Sequence, residues 1–455
     1  MTETTRRTIA VITGDTLGQR VAGPALRAMA ISSALASTHD VTLATTGSCD
    51  RAVKEYRTMH VDAEQAEELA AQSDIVIVQG FVLRGRLFHL PAKVVVIADV
   101  YDPLHLAQLV VGQHLADQDS LVAESVRTLD EQLSRADFVL CASETQRSMW
   151  LGHMSALGRL TPRTYTADPT LRSLIATVPF GVEPHSPEIS GPGPRQTIDG
   201  IGDGDKLLIW GGGIYNWFDP LTLLRSVDQL RHQIPDLRLL FMALDHPNPE
   251  VPAMKMAADA QLLADELGLT GKHVFFNKDW VPADERHNTL LQADVAVSTH
   301  FDSVETHFSF RTRLLDALWC GLPVVTTTGG HLSSLIESRG AGLAVAPLDV
   351  EALSLAIQRL LSDSVLAERC SDTSRQLAHE LAWATCLAPL VDFCANPSRS
   401  ADAARVNQSI VGGVAARRVQ RVRSAVFGRL AKGFDHLDKQ GLGSTIERIV
   451  RQGRT

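Results

Sequence analysis

Three stretches of this 455-residue chain carry residues able to hold an anion or a sugar, each just after an apolar run. The first is GDTLGQRVAGPALR (14–27). Glycines at 14, 18 and 23 let the backbone approach a ligand closely, and the helix start beyond them offers free N–H groups to an anion. Arg20 and Arg27 add positive charge. The spacing is not GxGxxG, so a dinucleotide site is disfavoured, and an ordinary strand-to-helix turn explains the stretch equally well. The second is KLLIWGGGIYNWFDPLTLL (206–224). Gly211, Gly212 and Gly213 admit backbone conformations closed to other residues and expose N–H groups. Asn216, Trp217 and Asp219 follow; Trp217 could stack on a base or sugar, and Asp219 either meets a ligand or caps the helix begun by Pro220.

The third, THFDSVETHFSFRTRLLDALWCGLPVVTTTGG (299–330), says most. A helix expected from about Ser309 puts Arg311 and Arg313 in its first turn, where the helix dipole opposes cations. A diphosphate would offset that local cost, because guanidinium presents paired donors to phosphate oxygens. Asp316, one turn on, could accept from ribose hydroxyls. The alternative is an ion pair of Arg311 or Arg313 with Glu305 or Asp316. A weaker stretch, DVYDPLHL (99–106), holds Asp99, Asp102 and His105, any of which could position an acceptor or sugar hydroxyl, although a lone His is more often structural. DGIGDGD (199–205) lacks the distal Glu of a calcium loop and reads as linker. No Walker, GxSxG or HExxH pattern occurs.

The elements that would position these residues alternate in type. TIAVIT (8–13), VTLAT (41–45), DIVIVQ (74–79), KVVVIA (93–98) and DFVLC (137–141) are continuous apolar runs suited to parallel strands covered on both faces. A helix from Pro24 would turn Leu26, Met29, Ala30 and Ala34 inward. The stretch 183–205, rich in Pro, Gly and Asp, is expected to hold no regular element. The rhythm restarts with KLLIW (206–210), LRLLFM (237–242), KHVFFN (272–277), DVAVS (294–298), LPVVTT (322–327) and GLAVA (342–346). Pro282 with Asp284 and Glu285 predicts a helix start. The fold class is therefore α/β: two doubly wound, Rossmann-like domains, 1–182 and 206–395, joined by a linker at 183–205 and followed by a basic tail at 396–455. Ligands bind at the C-terminal ends of such strands, so a cleft between the halves is where function is expected.

Charge supports this division. The chain carries 43 Lys and Arg against 52 Asp and Glu, but residues 396–455 carry 12 against 4, a net +8 that leaves −17 on the remainder. An acidic body argues against nucleic acid as the substrate. In the tail, Val419, Val422, Val426, Leu430, Phe434 and Leu437 recur every three or four residues, with Arg417, Arg418, Arg421, Arg423 and Arg429 mostly on the other faces, the pattern of a basic amphipathic helix over 414–437. It would lie on an anionic membrane, on the acidic body or on a partner. Six cysteines without a CxxC pair exclude a disulfide scaffold and give no zinc spacing, which fits a reducing cytoplasm. No run approaches the ~20 apolar residues of a membrane span.

With these residues in hand, the chain resembles a GT-B glycosyltransferase of family 4 over about residues 8–394. LLDALWCGLPVVTT (314–327) is similar to the family's carboxylate, helix and strand entry in the second domain; VPFGVE (178–183) resembles its interdomain hinge, and NKDWVPADERHNTLLQADVAVS (277–298) its approach to the ribose-binding helix. The loop around Gly23 resembles the one that nears the donor phosphates. The chain departs from the family pattern in three places. Of the usual glutamate pair, Asp316 takes the second place and Phe308 falls on the first. The Arg and Lys that commonly hold the diphosphate are missing from GGGIYNWFDP, so Arg311, Arg313 and Lys278 are expected to supply that charge. The first domain's His-Asp pair is Ala98-Asp99. These departures resemble a subgroup with GGGxxNWFDP and SFRTR motifs.

The resemblance implies transfer of a sugar from a nucleotide-diphosphate donor to a glycan or lipid-linked acceptor, with retention and without an essential metal or cofactor, in cell-envelope polysaccharide or glycolipid synthesis. Expected at the reacting centre are Asp99, His105 and Arg311. Expected at the donor are Gly23, Gly211–Gly213, Asn216, Trp217, Asp219, Lys278, Ser309, Arg311, Arg313 and Asp316. Gly18, Arg20, Arg27 and Asp102 are expected on the acceptor side. The expected location is cytoplasmic, peripheral to the membrane if the tail binds it. The rivals are a non-catalytic sugar-nucleotide-binding or scaffold protein, and a GT-B coupling enzyme or epimerase.

Overall fold

The computed structural model describes residues 6–19, 21–113, 117–244, 254–278 and 280–404. Arg20 and the predicted tail helix at 414–437 lie outside them. The chain divides into a compact unit ending at Ala401 and a second unit, Asp402–Thr455, of which residues 402–404 are described.

The first unit holds two parallel sheets. One contains β1 (Thr8–Thr13), β2 (Asp40–Thr45), β3 (Arg57–His60), β4 (Ile75–Gln79), β5 (Val95–Asp99), β6 (Phe138–Cys141) and β7 (Ile175–Thr177), in the order β3-β2-β1-β4-β5-β6-β7. The other contains β8 (Lys206–Trp210), β9 (Leu237–Phe241), β10 (Val274–Phe276), β11 (Val295–Ser298), β12 (Val324–Thr327) and β13 (Gly342–Val345), in the order β10-β9-β8-β11-β12-β13. All pairings are parallel, and each order reverses direction beside its first strand, the switch that opens a crevice at the strands' C-terminal ends. Every residue of β4 and β5 is buried, as covered faces require.

Several local expectations change. The helix Gly23–Ala36 has Pro24 in its first turn, but its buried face is Ala25, Arg27, Ala28, Ile31, Ser32 and Leu35, whereas Leu26, Met29, Ala30 and Ala34 are only partly covered. A wholly buried arginine on that helix is what apolar periodicity could not place. Pro282–Glu285 is a turn, with Glu285 N–H on Pro282 O at 3.0 Å, and the helix begins at Arg286. The linker is ordered: it holds a one-turn helix, Pro194–Thr197, and Ser190 and Gly191 donate to Asn288 of the second half at 2.8 and 3.1 Å. The chain's last helix in this unit, Ala388–Ala395, crosses back, burying Leu390 and Cys394 in the core of the first sheet although the sequence put 206–395 in one domain.

The crossings form a two-strand hinge. Val182 N–H donates to Leu381 O at 2.9 Å and Trp383 N–H to Val182 O at 3.0 Å. A Cβ on Gly181 would lie 2.8 Å from Trp383 backbone atoms, so only glycine fits between the strands. Among the described residues no helix is long and apolar enough to cross a membrane.

Candidate functional site

The C-terminal ends of the two sheets face each other. Segments after β1, β6 and β7 meet the segment after β11: Gly23 lies against Thr312 and Phe180, Phe180 stacks on Phe310 with centroids 6.0 Å apart, and Gln146 donates to Phe308 O at 2.8 Å. A cavity of about 640 Å³ lies away from this cleft, at the N-terminal ends of β1–β3, lined by Arg6, His39, Asp40, Lys54, Tyr56 and Arg57 among others.

On the second half, β8 runs into Gly211–Gly213. Gly212 has φ +79°, the left-handed conformation that favours glycine. Beyond the turn, Asp219 accepts from Thr222 N–H at 3.0 Å and caps the helix Pro220–Leu230, while its own N–H donates to Thr299 O at 3.0 Å. Asp219 is 1 % exposed and caps the helix through Oδ1, while its Oδ2 has no partner among the described residues. Asn216 is likewise committed: its Oδ1 accepts from Met256 N–H at 3.1 Å. Trp217 stacks on Tyr215 with centroids 5.0 Å apart and packs on the core.

The helix expected from Ser309 is two short helices, Val304–Phe308 and Arg313–Trp319, with Ser309 closing the first and Thr312 opening the second. Arg311 therefore sits between helices, and its partners are close. Its Nη1 donates to Glu305 Oε1 at 3.1 Å and its Nη2 to Glu305 Oε2 at 2.5 Å, with both side chains nearly wholly buried. Ser309 Oγ also donates to Glu305, at 2.5 Å. Arg311, expected as the catalytic cation, is neutralised by a carboxylate of the short helix just before it.

Arg313 is different. Its Nη2 donates to Gly213 O at 2.7 Å, its guanidinium lies 3.6 Å from the centroid of Phe218 and 5.1 Å from that of Trp210, and its Nη1 has no partner among the described residues. Among the described residues no carboxylate pairs with it. Burial pushes its pKa down to about 9, with repulsion from Arg311 adding to the fall and Tyr215 opposing it. Its Nη2 lies 4.0 Å from where a Cβ on Gly212 would stand, so the cation and the glycine turn share one surface. Asp316 pairs with Arg286 at 2.9 Å; burial raises its pKa and Arg286 lowers it. Lys278 is exposed beyond β10.

On the first half, Arg27 and Asp99 form a wholly buried bidentate pair at 2.7 and 2.8 Å, which Gln79 Nε2 extends to Asp99 at 2.8 Å. The Arg27 guanidinium also lies over Tyr101 and Phe180, 5.1 and 5.0 Å from their centroids, and donates to Pro179 O at 3.2 Å. The pair anchors the hinge, which replaces the acceptor and reacting-centre roles expected of Arg27 and Asp99. His105 packs near Trp150, centroids 5.9 Å apart, and burial lowers its pKa, as in a structural histidine. Gly18 is buried. Asp102 faces the other half: burial, helped by the Glu305 charge and opposed by Arg311, raises its pKa to about 6. Glu305 entered the sequence reading only as an ion-pair partner, and Gln146 not at all, because its partners lie 45 and 162 residues away.

The same two-sheet architecture is found in solved structures. A sucrose-phosphate synthase from Thermosynechococcus elongatus superposes with a TM-score of 0.61 at 17 % identity, over 86 % of this chain and 98 % of that one. Anabaena HepE in complex with UDP-glucose superposes with a TM-score of 0.58 at 13 % identity, over 90 % and 100 %. The fold is GT-B. Residues 205–363 of this GT-B chain match the family described as glycosyl transferases group 1. A probable sucrose-phosphate synthase 2 of Oryza sativa subsp. japonica is 25 % identical over 165 residues, which cover 36 % of this chain; the matched region spans 17 % of that relative's length. Together these likenesses support a glycosyltransferase. The matched family region contains the Gly211–Gly213 turn, the Glu305–Arg311 pair and Arg313.

Proposed function

We propose that this chain is a nucleotide-sugar-dependent hexosyltransferase that seats the donor diphosphate on the Gly211–Gly213 turn and Arg313. One observation carries the reading: among the described residues Arg313 has no carboxylate partner, and one of its terminal nitrogens is unpartnered. A buried cation of that kind is disfavoured until an anion arrives, and a guanidinium beside a glycine turn suits phosphate oxygens. As the bond between the sugar and the diphosphate breaks, negative charge grows on the leaving phosphate, where Arg313 and turn N–H groups would stabilise it without reorganising. Asp102, across the cleft, would orient an acceptor hydroxyl. Retention, metal independence and a cell-envelope acceptor complete the proposal on the family resemblance, with the basic stretch 414–437 as peripheral anchor.

A thermal-shift panel of nucleoside diphosphates and sugar nucleotides tests the donor. A ligand at 100 times its dissociation constant stabilises by about 2.7 kcal/mol. Silence across the panel refutes the reading. Product analysis with and without chelator then tests transfer, stereochemistry and metal independence, and vesicle flotation tests the anchor. A non-catalytic sugar-nucleotide-binding protein is the second reading, favoured by the pairing of Asp99, Glu305 and Asp316 with arginines. Binding without donor turnover would select it.

A further inference from the structure

We propose that Gln146 is a positioning residue that sets the acceptor loop of the first half in register with the donor segment of the second. The proposal rests on the transferase reading above. Gln146 lies in the first turn of the helix Glu144–Ala156, which follows β6 and is capped by Ser143, whose Oγ accepts from Gln146 N–H at 3.1 Å. Its side chain is wholly buried. The Oε1 accepts from Ala142 N–H at 2.8 Å, which fixes which way the amide faces. Both protons of Nε2 then point at carbonyls, Tyr101 O at 2.7 Å and Phe308 O at 2.8 Å.

The two carbonyls belong to different halves. Tyr101 stands between Asp99 of the hinge anchor and Asp102. Phe308 ends the short helix that carries Glu305 and leads into Arg311 and Arg313. One amide group thus sees both sides of the cleft, and it makes both bonds only when the halves are closed in this register. Opening the cleft breaks the bond to Phe308 O, and a shift of an ångström lengthens it beyond useful range. The local bond to Ala142 survives either change. Gln146 therefore holds the closed register without touching donor or acceptor.

Gln146→Glu keeps the acceptor for Ala142 and puts an oxygen against the two carbonyls; Gln146→Met keeps the volume and removes all three bonds. Sugar-nucleotide binding to the second half should stay within about twofold of wild type, while turnover falls about tenfold or more with little change in donor KM. Lowering the pH should restore Gln146→Glu towards wild type, because a protonated carboxyl can donate to one carbonyl, and should leave Gln146→Met unrestored. Small-angle scattering of the full chain should show both variants more open than wild type. Wild-type turnover in Gln146→Glu at neutral pH, or equal loss of donor binding and turnover, would overturn the assignment. The scattering comparison needs no activity: if wild type turns over no donor, unchanged profiles in both variants sink the register role on their own, and opened profiles sustain it.

Discussion

Replacing Arg313 by Met and, separately, Arg311 by Met should give opposite results. Arg311 and Glu305 neutralise each other in a nearly dry setting, 2.5 Å apart at the closer contact. Removing one partner of such a pair leaves a buried uncompensated charge and costs about 3–5 kcal/mol. Arg311→Met should therefore lower Tm sharply. Among the described residues Arg313 has no carboxylate to strand. Its pKa falls from 12.5 to about 9 on burial, so the charged form costs stability; that cost grows as pH drops from 12.5 through 9 and is fully present at pH 7. Arg313→Met should leave the ligand-free Tm unchanged or raise it. The loss appears on binding instead. A hydrogen bond to a charged group contributes about 1.5–3 kcal/mol, so losing the one that Nη1 is free to make should weaken nucleoside diphosphate binding by about 10- to 150-fold. Titration calorimetry with a nucleoside diphosphate and with the bare nucleoside isolates the phosphate contribution: the nucleoside should bind both proteins alike. Arg313→Lys should fall between, keeping charge but losing the planar fork and its stacking on Phe218. Diphosphate binding unchanged in Arg313→Met, or lost in Arg311→Met at unchanged Tm, would refute the division of labour.

Asp99→Asn should destabilise by about 3–5 kcal/mol, because Arg27 stays buried without its counter-charge, and thermal unfolding should show it even where donor binding persists. Asp102→Asn should act through pH: the folded carboxyl titrates at about 6 against 3.8 unfolded, so wild-type stability falls as pH rises from 3.8 to about 6, and the variant should be the more stable protein above pH 6 and no better below pH 4. Tm measured across that window checks the sign.

The strands were legible wherever both sheet faces are covered, since such strands read as unbroken apolar runs. β3, with Arg57 and His60 at its ends on the sheet edge, carries no such run, and β7 beside the hinge is only three residues of the short run Leu174–Val178 that Pro179 ends; the sequence reading names neither. Residue type and spacing picked out the arginines around the cleft but could not say which were occupied. Arg27 and Asp99 are 72 residues apart and meet because β1, β4 and β5 are consecutive in the sheet, an adjacency the sequence does not state. Glu305 is six residues from Arg311, near enough to be named as a partner, and only the break between two short helices turns them together. Asp219, one residue before a proline-initiated helix, caps it through one carboxylate oxygen, a role its position makes legible.

Pairing, rather than position, sorts the charges around the cleft. Arg27 is held by Asp99, Arg286 by Asp316 and Arg311 by Glu305, each contact 2.9 Å or shorter. Such pairs fix geometry, because a buried ion pair contributes little net stability against an apolar replacement yet is costly to break. Arg313 stands against the Phe218 ring that Arg311 also faces, with no counter-ion among the described residues, so the fold carries the cost of desolvating it and regains only part of it from Gly213 O and the rings. The rest is offset only when something anionic binds beside Gly213. The three paired arginines therefore act as scaffold, and the unpaired one makes the chain's affinity for a phosphorylated donor and its ligand-free stability trade against each other.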